Sequence, residues 1–367
     1  MGVALVRGVY SEAYSVTVGR ACLARALLPT TEPTGSIGAG GPRLGLARRA
    51  PVSVIAEHVL VTTDGSTQAN RAVPLAVAAI EACGSRTVTL LRVLTNGESG
   101  HKPIQALEWE LGRAHAEADL RHAAAEFGAM QTRVEQVVAE GKAAEQILHF
   151  VETAEVDLVV IAAHGSDDSR GWRMGSVARK VVASGQASVL IVPTEAETTA
   201  IKRVLLPLDC SARSECVLPL VARLAEAHDT EFVLAHVVAR PELPQRLPAG
   251  ARDREIVDEL VRRSCERAET YLHNVRERLV SRGTRVQVKL IVDNHPARAI
   301  ERLATSVRAD LIMVSAHGSG GHEREAYGSI PRRLLDTLVK PLWIVQDLPQ
   351  ARLRAQPRDE RSSGVQS

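Results

Sequence analysis

Apolar residues fall into short, dense runs along this chain, separated by stretches in which they recur every three or four positions. The runs at 58–63, 87–94, 132–139, 157–162 and 187–192 are rich in Val, Ile and Leu with few interruptions. Such runs predict strands buried on both faces, as in a parallel sheet covered by helices, and not the in-and-out alternation of a half-solvated sheet. Between them, "AVPLAVAAIEAC" at 72–83 has helical apolar spacing, 105–127 is a longer charged amphipath, 142–153 is shorter, and Ser176 opens a fourth helix. Strand and helix alternate throughout, which predicts a doubly wound α/β domain with its ligands at the carboxyl ends of the strands, where the strand order reverses.

The same pattern then returns. Runs at 203–208, 231–238, 285–292, 310–316 and 341–346 repeat the first five, and "DLVVIAAHGSDDSRGWRMGS" at 157–176 comes back 153 positions later as "DLIMVSAHGSGGHEREAYGS" at 310–329. Asp64 and Asp209 close the first strand of each copy 145 residues apart, followed at one spacing by Pro74 and Pro219. The difference of eight residues predicts an insertion in the second copy, placed in the loop 240–255 with its Pro241, Pro244, Pro248 and Gly250. A unit of roughly 150 residues is domain-sized, so the expectation is two tandem domains and not a solenoid. Each is a five-stranded parallel sheet with helices on both faces, the first over 55–195 and the second over 200–348. The flanks 1–54 and 349–367 are expected to be disordered.

Composition changes this picture little. With 367 residues, 45% of them hydrophobic, the chain has material for two ordinary cores, and no apolar run reaches the length of a membrane span. The net charge of +2 is set by the arginine-rich ends, which carry +6 and leave −4 on the body. With 3% aromatic residues and no basic face, a nucleic-acid platform is not expected. Cys22, Cys83, Cys210, Cys216 and Cys265 show no CxxC spacing, which points to buried thiols in a reducing cytoplasm and away from disulfides or zinc. The first fifty residues lack Lys and nearly lack acids, a faint likeness to an organelle-targeting peptide; a misassigned start or an idiosyncratic extension fits them better. "GSIGAGG" at 35–41 follows no strand and opens no helix, so it is not read as a dinucleotide loop.

Candidate chemistry lies at the strand ends. In each copy a strand runs into His-Gly (His164-Gly165 and His317-Gly318), nine residues of loop follow, and Gly175-Ser176 or Gly328-Ser329 opens a helix. Glycine lets backbone approach a ligand closely, and the free N–H groups and positive dipole end of a helix N-terminus attract anions, so this is how a phosphate site is built. Asp64 and Asp209 lie over the expected switch point and read equally well as ligands or as caps of the turn behind them. His164 and His317 read as structural, bonded to nearby backbone, since nothing pairs them with a nucleophile or a second metal ligand. No HExxH and no GxxxxGK[ST] occurs.

Taken together, both copies resemble the universal stress protein domain over about residues 55–347. Nucleotide-binding members of that family carry G-x2-G-x9-G-S/T after strand four. Its last three elements stand here as Gly165, Gly175, Ser176 and as Gly318, Gly328, Ser329, while Ala162 and Ser315 replace the first glycine. Asp64 and Asp209, with Val93 and Val237 in "LLRVL" and "LAHVV", match family positions at the adenosine end of the ligand. The family's G-x-P-A helix opening appears in halves, Gly141 in one copy and Pro296 in the other. The resemblance implies an adenine-nucleotide alpha hydrolase-like fold and a stress-response or signalling protein that binds ATP or AMP, with Mg2+ as a possible companion. Turnover is expected to be absent, or at best that of a slow ATPase, with no catalytic residue assigned. It also implies that the two copies pair through their last strands, 187–192 with 341–346, so that one chain imitates a dimer; a homodimer of whole chains stays open.

Two other readings stand beside this one. An adenylating or hydrolytic enzyme of the same architecture would carry an SGGxDS-type, HIGH-type or KMSKS-type motif, and "DGSTQAN" and "DCSARSE" are none of these. A nucleotide-free dimerisation module would fit the loss of the first glycine, because a Cβ at 162 or 315 intrudes where backbone needs close approach or positive φ. Asp167 and Asp168 put two carboxylates into the first loop, where they would repel phosphate, hold Mg2+ against it, or simply face solvent. The second loop offers Gly320, Gly321, His322 and Arg324 instead. The second site is therefore expected to be the better binder.

Overall fold

The computed structural model describes residues 56–95, 106–164, 174–196, 200–241, 250–320 and 326–347. The expected disorder of the two flanks lies outside the described residues. Elements of the first copy run β1 (His58–Thr62), α1 (Thr67–Asn70), α2 (Val73–Cys83), β2 (Thr87–Leu94), α3 (Ala106–Ala125), β3 (Arg133–Glu140), α4 (Ala143–Thr153), β4 (Leu158–Ala162), α5 (Ser176–Ser184) and β5 (Ser188–Val192). Those of the second are β6 (Arg203–Pro207), a 3-10 turn Ser214–Val217, α6 (Leu218–His228), β7 (Glu231–Val238), α7 (Ala251–Val280), β8 (Arg285–Val292), α8 (Pro296–Ser306), β9 (Leu311–Ser315), α9 (Ser329–Thr337) and β10 (Leu342–Val345). Each strand lies within a residue or two of the apolar run that predicts it.

All ten strands form one sheet in the order β3-β2-β1-β4-β5-β10-β9-β6-β7-β8. Within each copy every pairing is parallel, and the strand order reverses between β1 and β4 and again between β6 and β9. The two halves meet at one antiparallel pairing, β5 with β10, with Leu342 opposite Ile191, Trp343 opposite Leu190 and Ile344 opposite Val189. This is the expected pairing of last strands. It removes two apolar sheet edges that would otherwise need cover. Gln346 strengthens the seam, its N–H donating to Ser188 Oγ at 3.1 Å and its side-chain amide to Gly185 O at 3.0 Å.

Two apolar layers run the length of this sheet. One face is covered by α2, α3, α6 and α7, whose Leu75, Leu120, Leu220 and Leu272 are fully buried against Val59, Leu90, Val204 and Phe232. The other is covered by α4, α5, α8 and α9 through Ile147, Val181, Ile300 and Leu334. Both layers pass from one copy into the other without a break, so the halves share their cores as well as their sheet.

The loop expected over 240–255 ends sooner, because α7 already begins at Ala251 and runs 30 residues to Val280. Local chemistry favours the early start. Asp253 accepts the Gly250 N–H at 3.0 Å, satisfying a donor at the helix start, and Arg262 and Arg263 pair with Glu259 and Glu266 one turn away.

Candidate functional site

At each reversal of strand order, two loops leave the carboxyl edge of the sheet side by side. In the second copy they are tied together. Asp209 Oδ1 accepts Ser211 N–H at 3.0 Å and the Ser211 hydroxyl at 2.6 Å, while its Oδ2 reaches across to accept Ser319 N–H at 2.6 Å. Burial works to raise the Asp209 pKa, but these bonds, with Ser214, prevail and hold it below the usual aspartate value. A Cβ built on Gly318 would run into that carboxylate, so glycine there is what lets the two loops close. Behind them, Gly328 N–H donates to Ala316 O at 2.8 Å and Gly328 becomes the N-cap of α9 in extended conformation.

The opening of α9 is electropositive. It has no side-chain cap and no acidic residue in its first turn, and Arg332, in its fourth position, turns its guanidinium back towards Tyr327 O at 3.5 Å. The first copy repeats this: α5 is uncapped by any side chain, carries no acid in its first turn, and Arg179 reaches Met174 O at 3.0 Å. A cation beside a helix N-terminus opposes the helix dipole, which normally draws acids there. An anion seated at the opening would relieve that opposition.

A buried ion network braces the second site from behind. His317 Nδ1 bonds Asp347 Oδ1 at 2.8 Å, and Arg213 Nε donates to Asp347 Oδ2 at 2.5 Å. His317 and Asp347 are almost wholly buried, with side chains 1% and 2% exposed, and Arg213 is about one-third exposed. Burial opposes the Asp347 charge, yet His317 and Arg213 hold its pKa below the ordinary value. Asp347 thus anchors the glycine loop through His317 and the Asp209 loop through Arg213. In the first copy Thr194 stands in its place, 3.3 Å from His164 Nδ1, and Arg71 donates to Thr194 O at 2.6 Å. Each histidine thus bonds a side chain just past the last strand of its copy, His317 to Asp347 and His164 to Thr194.

The predicted residues are distributed as follows. Asp64, Val93, Gly175 and Ser176 gather at the carboxyl edge of the first half, and Asp209, Val237, Gly318, Gly328 and Ser329 at that of the second. Gly165 lies outside the described residues, as do Asp167, Asp168, Gly321, His322 and Arg324. Asp64 does not cap α1; Ser66 does, accepting Ala69 N–H at 3.1 Å, while Asp64 Oδ1 accepts Ser66 N–H at 2.9 Å. Ala162 and Ser315 end their strands and neither has positive φ, so the missing first glycine is not demanded by backbone conformation. The Ser315 hydroxyl donates to His317 O at 2.7 Å and becomes part of the loop's own bracing.

Sequence reasoning missed Asp347, Arg213, Arg179 and Arg332. The last two carried a signal, since they recur 153 residues apart at one offset from Gly-Ser. Asp347 carried a weaker one as an acid just past a parallel strand. Among the described residues no group of three or more His, Cys, Asp or Glu could hold a metal ion, and no helix is long and apolar enough to cross a membrane. Cys83, Cys210, Cys216 and Cys265 are unpaired thiols.

Comparison with known proteins agrees with this architecture. The model of the universal stress protein family matches residues 56–193 and again 200–346. A universal stress protein of Methanocaldococcus jannaschii is 25% identical over 154 residues, 40% of this chain and 94% of that protein. Among solved structures, a universal stress protein of Archaeoglobus fulgidus superposes with a TM-score of 0.53 at 16% identity, over 80% of this chain and 97% of its own. A functionally unknown protein of Pseudomonas aeruginosa does so with a TM-score of 0.55 at 14% identity, over 81% and 94%. At these identities the two structures speak for the fold alone.

Proposed function

The chain belongs to the universal stress protein family, with two copies of its domain in tandem, and from that premise we propose that it binds an adenine nucleotide, ATP or AMP, in its second copy. The observation that carries this reading is the bond from Ser319 N–H to Asp209, which joins the glycine loop to the end of β6 beside the uncapped, electropositive opening of α9. Phosphate would meet the amide groups and hydroxyl of Ser329 together with Arg332, with the Gly318 backbone alongside. The family resemblance assigns the adenosine end to Asp209 and Val237. Mg2+ would enter with the triphosphate and rely on phosphate oxygens and water, with Asp209 or Ser329 as protein donors.

The reading is one of occupancy and not of turnover. His317, at the start of the glycine loop, is buried and bonded to Asp347, which suits a brace better than a base. Its biological setting would be a stress-responsive or signalling role in the cytoplasm, with the bound nucleotide favouring one arrangement of the second site's loops. Equilibrium dialysis of the full chain against ATP and AMP, paired with thermal melts, tests it. Retention of nucleotide and a melting temperature that rises with its concentration are expected, because a ligand of the folded state stabilises by mass action. Neither effect at millimolar nucleotide would leave the nucleotide-free interaction module as the better reading.

A further inference from the structure

Among the described residues, the two sites differ at the residue just before Val93 and Val237. In the first copy it is Arg92, at the end of β2, whose guanidinium forms an ion pair with Asp119 of α3 and is 18% exposed. A Cβ built on Gly65, the residue after Asp64, would come within 2.5 Å of Arg92 Nη1 and 2.5 Å of Asp119 Oδ2. The ion pair therefore lies directly on the loop that leaves β1. Gly65, at φ +77°, supplies the bare backbone that lets it settle there. Asp64 acts on the same guanidinium, its charge opposing the cost of the burial.

The second copy keeps the aspartate as Asp209 and replaces the other three members of this set. His236 stands at the place of Arg92, and its ring folds back so that Nδ1 donates to Leu208 O at 2.7 Å. Cys210 replaces Gly65 and keeps the left-handed conformation at φ +64°. The buried rows Ala116, Leu120, Ala123, Phe127 and Ala268, Leu272, Val275, Leu279 match one to one at a separation of 152, which puts Tyr271 at the place of Asp119. Neither member of the Arg92–Asp119 ion pair is kept: His236 and Tyr271 stand in their places.

We propose that Arg92 and Asp119 close the nucleoside end of the first site, so that the chain takes up one nucleotide, in the second copy. A nucleoside entering beside Asp64 and Val93 must part a half-buried ion pair. That would leave the Asp64 and Asp119 carboxylates without their cation as an anionic ligand arrives, a cost the second copy does not carry. This inference rests on the nucleotide reading and adds the identity of the residues that decide between the copies.

Calorimetric titration of the full chain with ATP tests it. The native chain takes up one equivalent; Arg92→His, which installs the second copy's residue, takes up two. The double variant Arg92→His/Asp119→Tyr installs both of the second copy's residues and gives the same result if the single change disturbs folding, which thermal melts report. Adding Gly318→Ala to Arg92→His weakens one of the two equivalents and leaves the other as it was, locating the new equivalent in the first copy. Two equivalents in the native chain overturn the inference, and so does one equivalent in the native chain and in both variants, which leaves the nucleotide reading standing. No uptake by the native chain overturns that reading and this inference with it.

Discussion

The loops leaving β1 and β6 open with nearly the same words, Asp-Gly-Ser and Asp-Cys-Ser, and fold alike, down to a left-handed residue in second place. Their surroundings part company. Around Asp209 the neighbours are hydrogen-bond donors that hold its carboxylate ionised and turn it towards the glycine loop. Beside Asp64 stands Arg92, paired with Asp119. Behind the glycine loops, the second copy has an Asp–His–Arg network where the first has a threonine hydroxyl and carbonyl. One fold, duplicated and fused across a common sheet edge, thus carries two sites whose aspartates have different neighbours. A shared signature fixes where the loops lie, and the residues pressed against it give each copy its own surroundings.

The largest expected effect comes from breaking the network behind the second site. Asp347→Ala leaves a buried histidine and Arg213 without their carboxylate and should cost about 3–5 kcal/mol of stability. Thr194→Ala, the matched change in the first copy, removes a neutral bond and should cost about 1 kcal/mol. Urea titration of both variants checks the ratio, and equal losses would erase the distinction between the braces. The same chemistry predicts the acid limb of stability. Asp209 and Asp347 both titrate below their ordinary value of 3.8 in the folded chain. Their contribution is fully present above that value and is lost as pH falls through the lower folded values, where the unfolded chain binds the protons more readily. Asp347→Ala should flatten this acid limb, and Thr194→Ala should leave it unchanged.

Glycine substitutions sharpen the comparison at the ligand. Gly318→Ala drives a methyl group into the Asp209 carboxylate and should lower ATP affinity by about 1–3 kcal/mol, roughly 5- to 150-fold. A Cβ on Gly328 meets Ala316 O at 3.5 Å, an ordinary contact, so Gly328→Ala should change affinity by less than about threefold. Gly328→Val, branched at the helix opening, falls between these, and Gly175→Val leaves ATP affinity as it was. Titration of the four variants orders them; a larger loss from Gly175→Val than from Gly328→Val would place the nucleotide in the wrong copy.

Much of this was legible in the sequence. Strand runs, the repeat and the nearness of Asp209 to the glycine loop follow from apolar spacing and from the rule that sites gather where strand order reverses, and the seam from the family resemblance. The ion pair over Gly65 was not, because Arg92 and Asp119 belong to different elements and meet only through the way α3 packs on β2. Asp347 lay 30 residues from His317, at the edge of a polar tail, with nothing local to mark its partner. The start of α7 was misread because Pro241, Pro244 and Pro248 dominate the composition there, while the Gly250–Asp253 cap that starts the helix is a single bond.

The smallest effect concerns the left-handed position itself. Cys210 at φ +64° carries strain of roughly 1–2 kcal/mol, of which glycine would give back about 0.5–1 kcal/mol through its freer unfolded chain. Cys210→Gly, the first copy's residue, should therefore stabilise by about 0.5–1 kcal/mol, as read by the shift in urea midpoint. A loss of stability would mean that the Cys210 thiol, 3.6 Å from His236 Nδ1, contributes more than its backbone costs.

The central claim is that one of two like-folded copies holds the nucleotide, and amide hydrogen exchange of the full chain with and without saturating ATP tests it most directly. The account predicts slowed exchange in the segments 209–214 and 316–331 and unchanged exchange in 64–70 and 174–179. Protection of both copies, of the first alone, or of neither would contradict it.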